Sequence, residues 1–347
     1  MEDRKKRENV RTAAIFIGVA VLCVVISAAV FSALSHPSEG SVGIIQTDAQ
    51  SERGSADGKP LTFFVAGRDS AAGLCDVLML VRFEPQGERM TVLQIPRDTY
   101  AEYTDGSYRK LNGVLSHLKD PVRVCELLSD AMGIDIDGYV CFDTDTFSDA
   151  VDLIGGVEIE LSEPLDYEDP DGGLYIHLRA GRQVLDGEAA LKFVRYRSGY
   201  ARGDIGRMDA QKLFLASLAR KARALDGASA ARVVTSVLSR VDTDISVKDA
   251  LSLMRTGASI PEENIAFLTL PGEEAVAKRS GASYYSLSAR ACEEIMSELF
   301  GAPKGSFDTD GIFLNESYES FRDIYNGYSE YRLYRADELC GDGISIE

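Results

Sequence analysis

Three short apolar segments near residue 60 constrain the fold of this chain most. They cover residues 61–66, 77–83 and 90–95, and each is bounded by glycine, proline or charged residues. Unbroken apolar runs of this length are typical of central strands covered on both faces, whereas strands with one solvated face alternate apolar and polar residues. The segments therefore predict a central sheet within an α/β domain.

The rest of the domain alternates between helical and extended patterns. Pro121 suits the first turn of a helix, and Gly155-Gly156 suits the end of another. Helices are predicted at 110–118, 121–132, 143–154, 187–194, 205–223, 228–241, 247–254 and 286–300, and further strands at 139–142, 157–161 and 265–270. One sheet covered by helices on both faces is the simplest architecture.

The N-terminus predicts a membrane anchor. Residues 1–11 are rich in arginine and lysine, and residues 12–35 carry no charge. A helix of that length spans the roughly 30 Å hydrocarbon core, and the basic flank favours the cytoplasmic side. A cleaved signal peptide is the alternative, but its apolar region is normally shorter, at about 7–15 residues. Residues 36–60 are rich in polar residues and glycine, as in a flexible stalk.

The charge balance excludes a nucleic-acid binder. The chain has 37 basic and 55 acidic residues, and outside residues 1–36 the balance is 32 to 52, a net charge of −20. Neutralising a phosphate backbone needs a net basic face. With only three histidines, chemistry is expected to depend on aspartate and arginine. Five cysteines follow the anchor, an odd number from which no disulfide can be assigned.

One window reverses the acidic character. Residues 179–223 hold 11 basic and 4 acidic residues. Four of the arginines bracket a loop rich in glycine and serine that precedes a long helix: Arg195, Arg197, Arg202 and Arg207. Arginines gathered at a helix N-terminus favour an anion such as phosphate. The other basic residues of that helix, such as Lys212 and Arg220, are predicted to form a solvated face.

A second group of charged residues lies beside the predicted central strands. Asp69 follows the first strand, Asp76 opens the second, and Arg97-Asp98 follows the third. Ligands of open α/β sheets collect at the carboxyl ends of strands. Carboxylates beside arginines suit Mg²⁺-assisted phosphoryl transfer, although a turn or helix cap would explain each aspartate alone.

The ordered set of motifs resembles the LytR-CpsA-Psr family of cell-wall proteins. The segments that carry the resemblance are FVAGRDSAAGLCDVLMLVRF from Phe64, TVLQIPRDTY ending at Tyr100, RKLNGV from Arg109, and GRQVLDGEAALKFVRYRSGYARGDIGRMDAQK from Gly181. The likeness continues through Leu270-Pro271-Gly272 to about Phe300.

The resemblance implies an α-β-α sandwich with a central mixed sheet, preceded by one transmembrane helix. It assigns residues 61–300 to an extracytoplasmic catalytic domain, with residues 301–347 as a tyrosine-rich acidic extension to which no chemistry is assigned. The implied activity moves a glycopolymer, such as a teichoic acid or capsular polysaccharide, from undecaprenyl pyrophosphate to the C6 hydroxyl of N-acetylmuramic acid in peptidoglycan. The prenyl chain would lie in an apolar tunnel. The candidates to line this tunnel are Leu78, Leu80, Phe142, Phe193 and Phe214. For each of these residues, ordinary packing in the protein core is the simpler explanation.

The resemblance also implies site roles by position. Asp69 and Asp76 match carboxylates associated with Mg²⁺, for which Mn²⁺ could substitute, and Arg97 matches a catalytic arginine that contacts phosphate. Asp76 or Asp98 would orient or deprotonate the attacking hydroxyl. The remaining matches are pyrophosphate contacts at Arg195, Arg197, Arg207 and Gln211, with Arg68 and Arg202 as further candidates, and supporting residues at Lys110, Asn112 and Asp204.

Two departures from the family pattern each remove a positive charge. Leu74-Cys75 stands where Arg-Ser is frequent, and Ala210 stands where an arginine often precedes Gln211. Two other functions therefore remain open: a polyprenyl-pyrophosphate hydrolase, which would use water as the acceptor, and a binding protein for lipid-linked glycan without turnover.

Overall fold

The computed structural model describes residues 58–68, 73–103, 108–170, 174–257, 259–277, 281–307 and 329–341. The expected cytoplasmic terminus, the transmembrane helix, most of the stalk and Asp69 lie outside these ranges. Within them, no helix has both the length and the apolar character needed to cross a membrane. The limits of the anchor and the stalk stay predictions.

A seven-stranded mixed sheet forms the centre of the domain. In spatial order its strands are β11 (Asp242–Thr243), β6 (Gly138–Asp143), β1 (Leu61–Arg68), β2 (Cys75–Glu84), β3 (Arg89–Ile95), β12 (Ile265–Thr269) and β15 (Tyr334–Arg335). β1 is parallel to β6 and β3 is parallel to β12, whereas β2 is antiparallel to both of its neighbours. The three apolar segments are thus adjacent central strands, as predicted.

Helices cover both faces of this sheet. They are α1 (Val114–Leu118), α2 (Pro121–Met132), α3 (Thr144–Leu153), α4 (Gly187–Arg195), α5 (Asp204–Arg223), α6 (Gly227–Leu238), α7 (Val247–Gly257), α8 (Ala289–Leu299) and α9 (Ala336–Leu339). Helices α3 to α7 share a hydrophobic core with one face, and α1, α2 and α8 share a second core with the other. The expected α-β-α sandwich with a mixed sheet is confirmed.

The alternation of side chains along β2 separates the two cores. Val77, Met79 and Val81 belong to the core beneath α5, whereas Leu78 and Leu80 belong to the core beneath α2. Of the other tunnel candidates, Phe142, Phe193 and Phe214 lie in the first core only. The five candidates therefore lie on opposite faces of the sheet and cannot line one tunnel, so the simpler interpretation as core packing holds.

Two predicted helices begin later than expected because their first residues pair in hairpins. Tyr108–Lys110 forms β5, which pairs with β4 (Tyr100–Glu102), and a 3₁₀ turn at Leu111–Gly113 precedes α1. The segment predicted to open α8 instead belongs to β14 (Ser283–Leu287), which pairs with β13 (Gly272–Val276). Two more hairpins join β7 (Val157–Leu161) to β10 (Gly181–Leu185) and β8 (Leu165–Asp169) to β9 (Leu174–Leu178).

A segment near the C-terminus, within residues 329–341, is part of the domain. β15 adds an antiparallel edge strand to β12, and α9 packs against α5. Tyr334, Ala336 and Leu339 are buried in the core beneath α5. This part of the tyrosine-rich extension therefore packs against the domain.

Phe214 provides a test of the core beneath α5. Its ring is fully buried, with the ring centroids of Phe147 and Phe193 at 5.5 and 6.3 Å. Phe214→Ala should lower the free energy of unfolding by about 3–5 kcal/mol because it leaves a cavity. Phe214→Leu should cost less, since it keeps more of the buried volume. Urea denaturation measures both values, and an alanine variant as stable as wild type would contradict this packing.

Candidate functional site

The site begins at the edge of the sheet where β1 and β3 end and β2 begins. Because β2 is antiparallel to its neighbours, Asp76 near its start lies beside the carboxyl ends of those strands. Arg97, two residues after β3, donates from Nη1 to Asp76 Oδ1 over 2.7 Å. Both side chains are largely buried. The fold thus brings together the aspartate and arginine that sequence reasoning placed at strand ends.

Asp204 joins this pair to the arginine-rich loop. It is the first residue of α5, preceded by Gly203, whose φ of 53° lies in the left-handed region that favours glycine. Its carboxylate lies 3.5 Å from Arg97 Nη2, 3.8 Å from Arg197 Nε and 3.0 Å from Arg207 Nη2. One carboxylate therefore contacts three arginines from three segments of the chain.

Arg195 reaches the same region from the last turn of α4. Its Nε and Nη2 atoms are buried, whereas the side chain of Arg197, two residues later, is about half exposed. The pyrophosphate arginines expected from the sequence thus include both buried and accessible side chains. Together Arg97, Arg195, Arg197 and Arg207 carry four positive charges against the two negative charges of Asp76 and Asp204.

Burial and the neighbouring carboxylates act in opposite directions on the arginines. For Arg97, burial acts to lower the pKa, but Asp204, Asp76 and Asp98 together raise it above its ordinary value. For Arg207, burial prevails over Asp204 and lowers the pKa. Because an arginine pKa ordinarily lies above 12, we treat both guanidinium groups as charged at neutral pH.

Two buried N–H groups of the site lack a protein acceptor. The Nε atoms of Arg97 and Arg207 are solvent-inaccessible and make no hydrogen bond within the described part of the chain. An unmet buried donor costs about 1–3 kcal/mol, and more when it is charged. Such donors beside a net positive cluster suit an oxyanion with several oxygens, such as a diphosphate.

Gln211 lies under the site within a hydrogen-bonded chain. It accepts from Gln94 Nε2 over 3.2 Å and donates to the carbonyl of Val194 over 3.3 Å, and Gln94 in turn accepts from Thr269 over 3.2 Å. Sequence reasoning missed Gln94. Its signal was a polar residue within an otherwise apolar predicted strand.

Lys110 and Asn112, which form a K-x-N motif within the RKLNGV segment, contact the segment that carries Arg97. Lys110 Nζ lies 3.0 Å from Asp98 Oδ1, and the backbone N–H of Asn112 donates to the carbonyl of Arg97 over 3.0 Å. Thr99 strengthens this turn by donating from its hydroxyl to the carbonyl of Pro96 over 2.6 Å. These contacts explain why the motif lies near the site.

Arg202 and Lys212 contact a different carboxylate. Both are ion-paired with Asp209, which lies in the second turn of α5. The distance from Lys212 Nζ to Asp209 Oδ1 is 2.7 Å. The prediction that Lys212 belongs to a solvated face is wrong, since Lys212 is only 1% exposed. Burial lowers its pKa, against the effect of Asp209.

Arg68, the other candidate for a pyrophosphate contact, lies at the end of β1 and is exposed.

The two departures from the family pattern are both buried. Cys75 is a thiol packed in the core beneath α2, and burial raises its pKa to about 12. Ala210 is fully buried within α5. Neither position adds charge to the site. The other described cysteines, Cys125, Cys141, Cys292 and Cys340, are also free thiols.

The metal-binding residues expected from the sequence are only partly described. Asp76 lies in the site, whereas Asp69 is outside the described ranges. No cluster of three or more histidine, cysteine, aspartate or glutamate residues suitable for a metal occurs in the described part of the chain. Mg²⁺ prefers carboxylate and phosphate oxygens and often retains water ligands. Asp76, which lies beside arginine donors that suit an oxyanion, is therefore compatible with Mg²⁺.

The domain is similar to proteins with known names and structures. The profile of the LytR_cpsA_psr family matches residues 32–301. The polyisoprenyl-teichoic acid--peptidoglycan teichoic acid transferase TagV of Bacillus subtilis is 29% identical over 253 residues, which cover 70% of this chain and 64% of that protein. TagU of Oceanobacillus iheyensis, a transferase of the same description, is 26% identical over 240 residues, which cover 67% of this chain and 72% of that protein.

The fold agrees with these matches. The crystal structure of B. subtilis TagV superposes with a TM-score of 0.62 at 26% identity, over 72% of this chain and 98% of that chain. This chain thus spans less than two thirds of the full length of the TagV relative, but nearly all of the part seen in that crystal structure.

The central position of Asp204 gives a stability prediction. Asp204→Asn should lower the free energy of unfolding by about 3–5 kcal/mol, because the buried guanidinium of Arg207 loses a charged partner. The double variant Asp204→Asn/Arg207→Gln should recover part of that loss, since it also removes the buried positive charge. Denaturant unfolding at neutral pH measures four proteins: wild type, Asp204→Asn, Arg207→Gln and the double variant. A double variant with the simple sum of the two single losses would show that the residues are not coupled.

Proposed function

This chain belongs to the LytR-CpsA-Psr family, and on that premise we propose that it is a transferase that attaches a glycopolymer to peptidoglycan. The donor is a glycopolymer linked through a diphosphate to a polyprenyl carrier, with undecaprenyl as the expected prenyl chain. Teichoic acid is the polymer in the names of the relatives TagV and TagU.

The arrangement of Arg97, Arg207 and Asp204 is the observation that supports this proposal most. It combines a net positive cluster with two buried N–H donors that have no acceptor in the described part of the chain. A diphosphate supplies the acceptor oxygens and the negative charge that the cluster lacks. Preorganised donors of this kind stabilise charge that develops during phosphoryl transfer.

The reaction is a substitution at phosphorus. The acceptor hydroxyl forms a new O–P bond to the phosphate that carries the glycan, the bridging P–O bond breaks, and polyprenyl phosphate leaves with the bonding electron pair. Arg97, Arg195, Arg197 and Arg207 stabilise the charge on the transferred and leaving phosphates. Both aspartates are ion-paired, Asp76 with Arg97 and Asp98 with Lys110. Asp98 is the better candidate to accept the hydroxyl proton, because its side chain is 31% exposed whereas that of Asp76 is 7% exposed.

Asp76, together with Asp69, would hold the Mg²⁺ or Mn²⁺ ion of this proposal. Such an ion, when bound, neutralises diphosphate charge. The contact between Asp76 and Arg97 meanwhile orients the guanidinium toward the remainder of the cluster. The chain itself thus supplies orientation and charge, and no histidine is needed.

The proposed location follows from the N-terminal sequence. Residues 12–35 would anchor the chain in the cell membrane with residues 1–11 in the cytoplasm, and the stalk would hold the catalytic domain outside. A donor anchored in the same membrane by its prenyl chain is then presented directly to the domain. Peptidoglycan as the acceptor lies on the same side.

Arg97 is the most direct test of the mechanism. Arg97→Ala should reduce glycan transfer by roughly 10²-fold or more, because it removes a preorganised charge at the reacting phosphate. Arg123→Ala is the matched control, since Arg123 is an exposed residue of α2 outside the site. The measurement is radiolabelled glycan joined to peptidoglycan by the purified full chain. Transfer at the wild-type rate by Arg97→Ala would overturn the assignment, and phosphate release without transfer would favour the hydrolase.

Removal of divalent metal ions by a chelator tests the proposed role of Mg²⁺ or Mn²⁺ in transfer. EDTA should reduce transfer by roughly tenfold or more, and added Mg²⁺ or Mn²⁺ should restore it. Asp76→Asn should raise the metal concentration needed for half-maximal transfer, whereas Asp130→Asn, at an exposed position of α2, should not. Full activity in EDTA after extensive dialysis would remove the metal from the mechanism.

A further inference from the structure

A cavity of about 600 Å³ opens next to Arg202 and Gly203 of the arginine-rich loop. Its lining includes the start of α5, with the buried pair Asp209 and Lys212, and residues of the β13–β14 hairpin. Four residues of the C-terminal segment also line it: Glu330, Tyr331, Arg332 and Tyr334. Its volume falls within the roughly 300–1,000 Å³ typical of small-molecule sites. We call this space the lateral cavity.

The side chains of the lateral cavity suit a neutral polyol better than a phosphate. Glu273, Glu274 and Glu330 line it and would repel an anion. Its basic residues already have partners: Arg202 and Lys212 are paired with Asp209, and Arg332 lies over a tyrosine ring. Carboxylates accept hydrogen bonds from hydroxyl groups without needing a charged ligand.

Tyrosine side chains are the second feature of the lateral cavity that suits a sugar. Tyr285, Tyr331 and Tyr334 all line the lateral cavity. Tyr285 and Tyr334 are largely buried. Tyr334 is held by Arg332, whose guanidinium carbon lies 4.5 Å from the ring centroid, and by Lys212 Nζ at 5.4 Å. Tyr331, which is partly exposed, is therefore the ring most open to a ligand. Aromatic rings offer an apolar surface and a polar hydroxyl at one end. A sugar ring presents the complementary surface, with C–H groups on its faces and hydroxyls at its edge.

The lateral cavity is joined to the proposed diphosphate site by short connections. Gly203 lines the cavity and directly precedes Asp204. The backbone N–H of Tyr285 donates to the carbonyl of Asp98 over 2.8 Å, next to Arg97. These contacts place the lateral cavity next to the chain segments that carry Arg97 and Asp204.

One wall of the lateral cavity comes from outside the region shared with the family. The family profile ends at residue 301, whereas Glu330, Tyr331, Arg332 and Tyr334 lie beyond it. Pairing of β15 with β12 holds this segment in place. The wall is thus a feature of this chain's C-terminal extension.

We propose that the lateral cavity binds sugar units of a glycan substrate and that the C-terminal segment 330–334 contributes to glycan selection. The proposal rests on the proposed function, because that function supplies a glycan on each side of the reaction. The sugars belong either to the polymer attached to the donor diphosphate or to the peptidoglycan acceptor. Both contain uncharged sugar rings, whose hydroxyl groups match the carboxylate and tyrosine lining.

The test is calorimetric binding to the full chain in detergent with three probes. The first is farnesyl diphosphate, which carries no sugar. The second is the same diphosphate bearing a disaccharide of N-acetylated hexosamines. The third is a tetrasaccharide of alternating N-acetylglucosamine and N-acetylmuramic acid with its lactyl carboxyl groups capped as amides, so that it is neutral. The variant is Glu274→Gln/Glu330→Gln, which removes two exposed carboxylates of the lateral cavity while retaining side-chain size. The control is Glu126→Gln/Glu298→Gln, with the same charge change on exposed faces of α2 and α8.

The variant should weaken binding of at least one glycan probe by roughly tenfold, relative to the control, and leave the affinity for farnesyl diphosphate unchanged. Loss confined to the diphosphate-linked disaccharide identifies the donor polymer as the source of the sugars, and loss confined to the tetrasaccharide identifies the acceptor. Unchanged affinity for both glycan probes, or a wild-type protein that binds neither, overturns the proposal. Failure of the proposed function would be seen separately, as a wild-type protein that neither binds farnesyl diphosphate nor transfers glycan.

Discussion

The contact of one carboxylate with three arginines holds the site together. Two like charges about 4 Å apart repel by about 4 kcal/mol at an effective dielectric constant of 20. Asp204 offsets this repulsion by lying between Arg97, Arg197 and Arg207. These arginines come from the segment after β3, the loop after α4 and the first turn of α5, so this contact also fixes the relative positions of three elements.

The cluster remains short of negative charge even with Asp76 added. The Nε atoms of Arg97 and Arg207 are buried without an acceptor in the described part of the chain, a state that costs stability unless a ligand supplies oxygens. Stability and function therefore make opposite demands on this site. The core beneath α5, filled by rings such as Phe214, supplies the rigidity that keeps the donors aligned.

Local patterns predicted the elements well, and contacts between distant residues explain what they missed. The limits of α2 and β7 agree with the predicted ranges, because a proline start and a short apolar run are local signals. The helix predicted at 110–118 was shortened, because Lys110 pairs with Tyr100 in a hairpin. Lys212 was placed on a solvated face, but Asp209 and the C-terminal segment cover it. No local pattern shows which distant segment will cover a helix face.

The sequence by itself determined the class of the fold, the acidic surface with one basic window, and the residue types of the site. Each of these depends on composition or on near neighbours along the chain. Only the tertiary structure decided that Asp204 would be the common partner of the arginines and that Gln94 would support Gln211. It also decided that residues 330–334 would help to line a cavity next to the arginine-rich loop. The reason is physical: these contacts join residues far apart in sequence, and their geometry is set by how the sheet orders its strands.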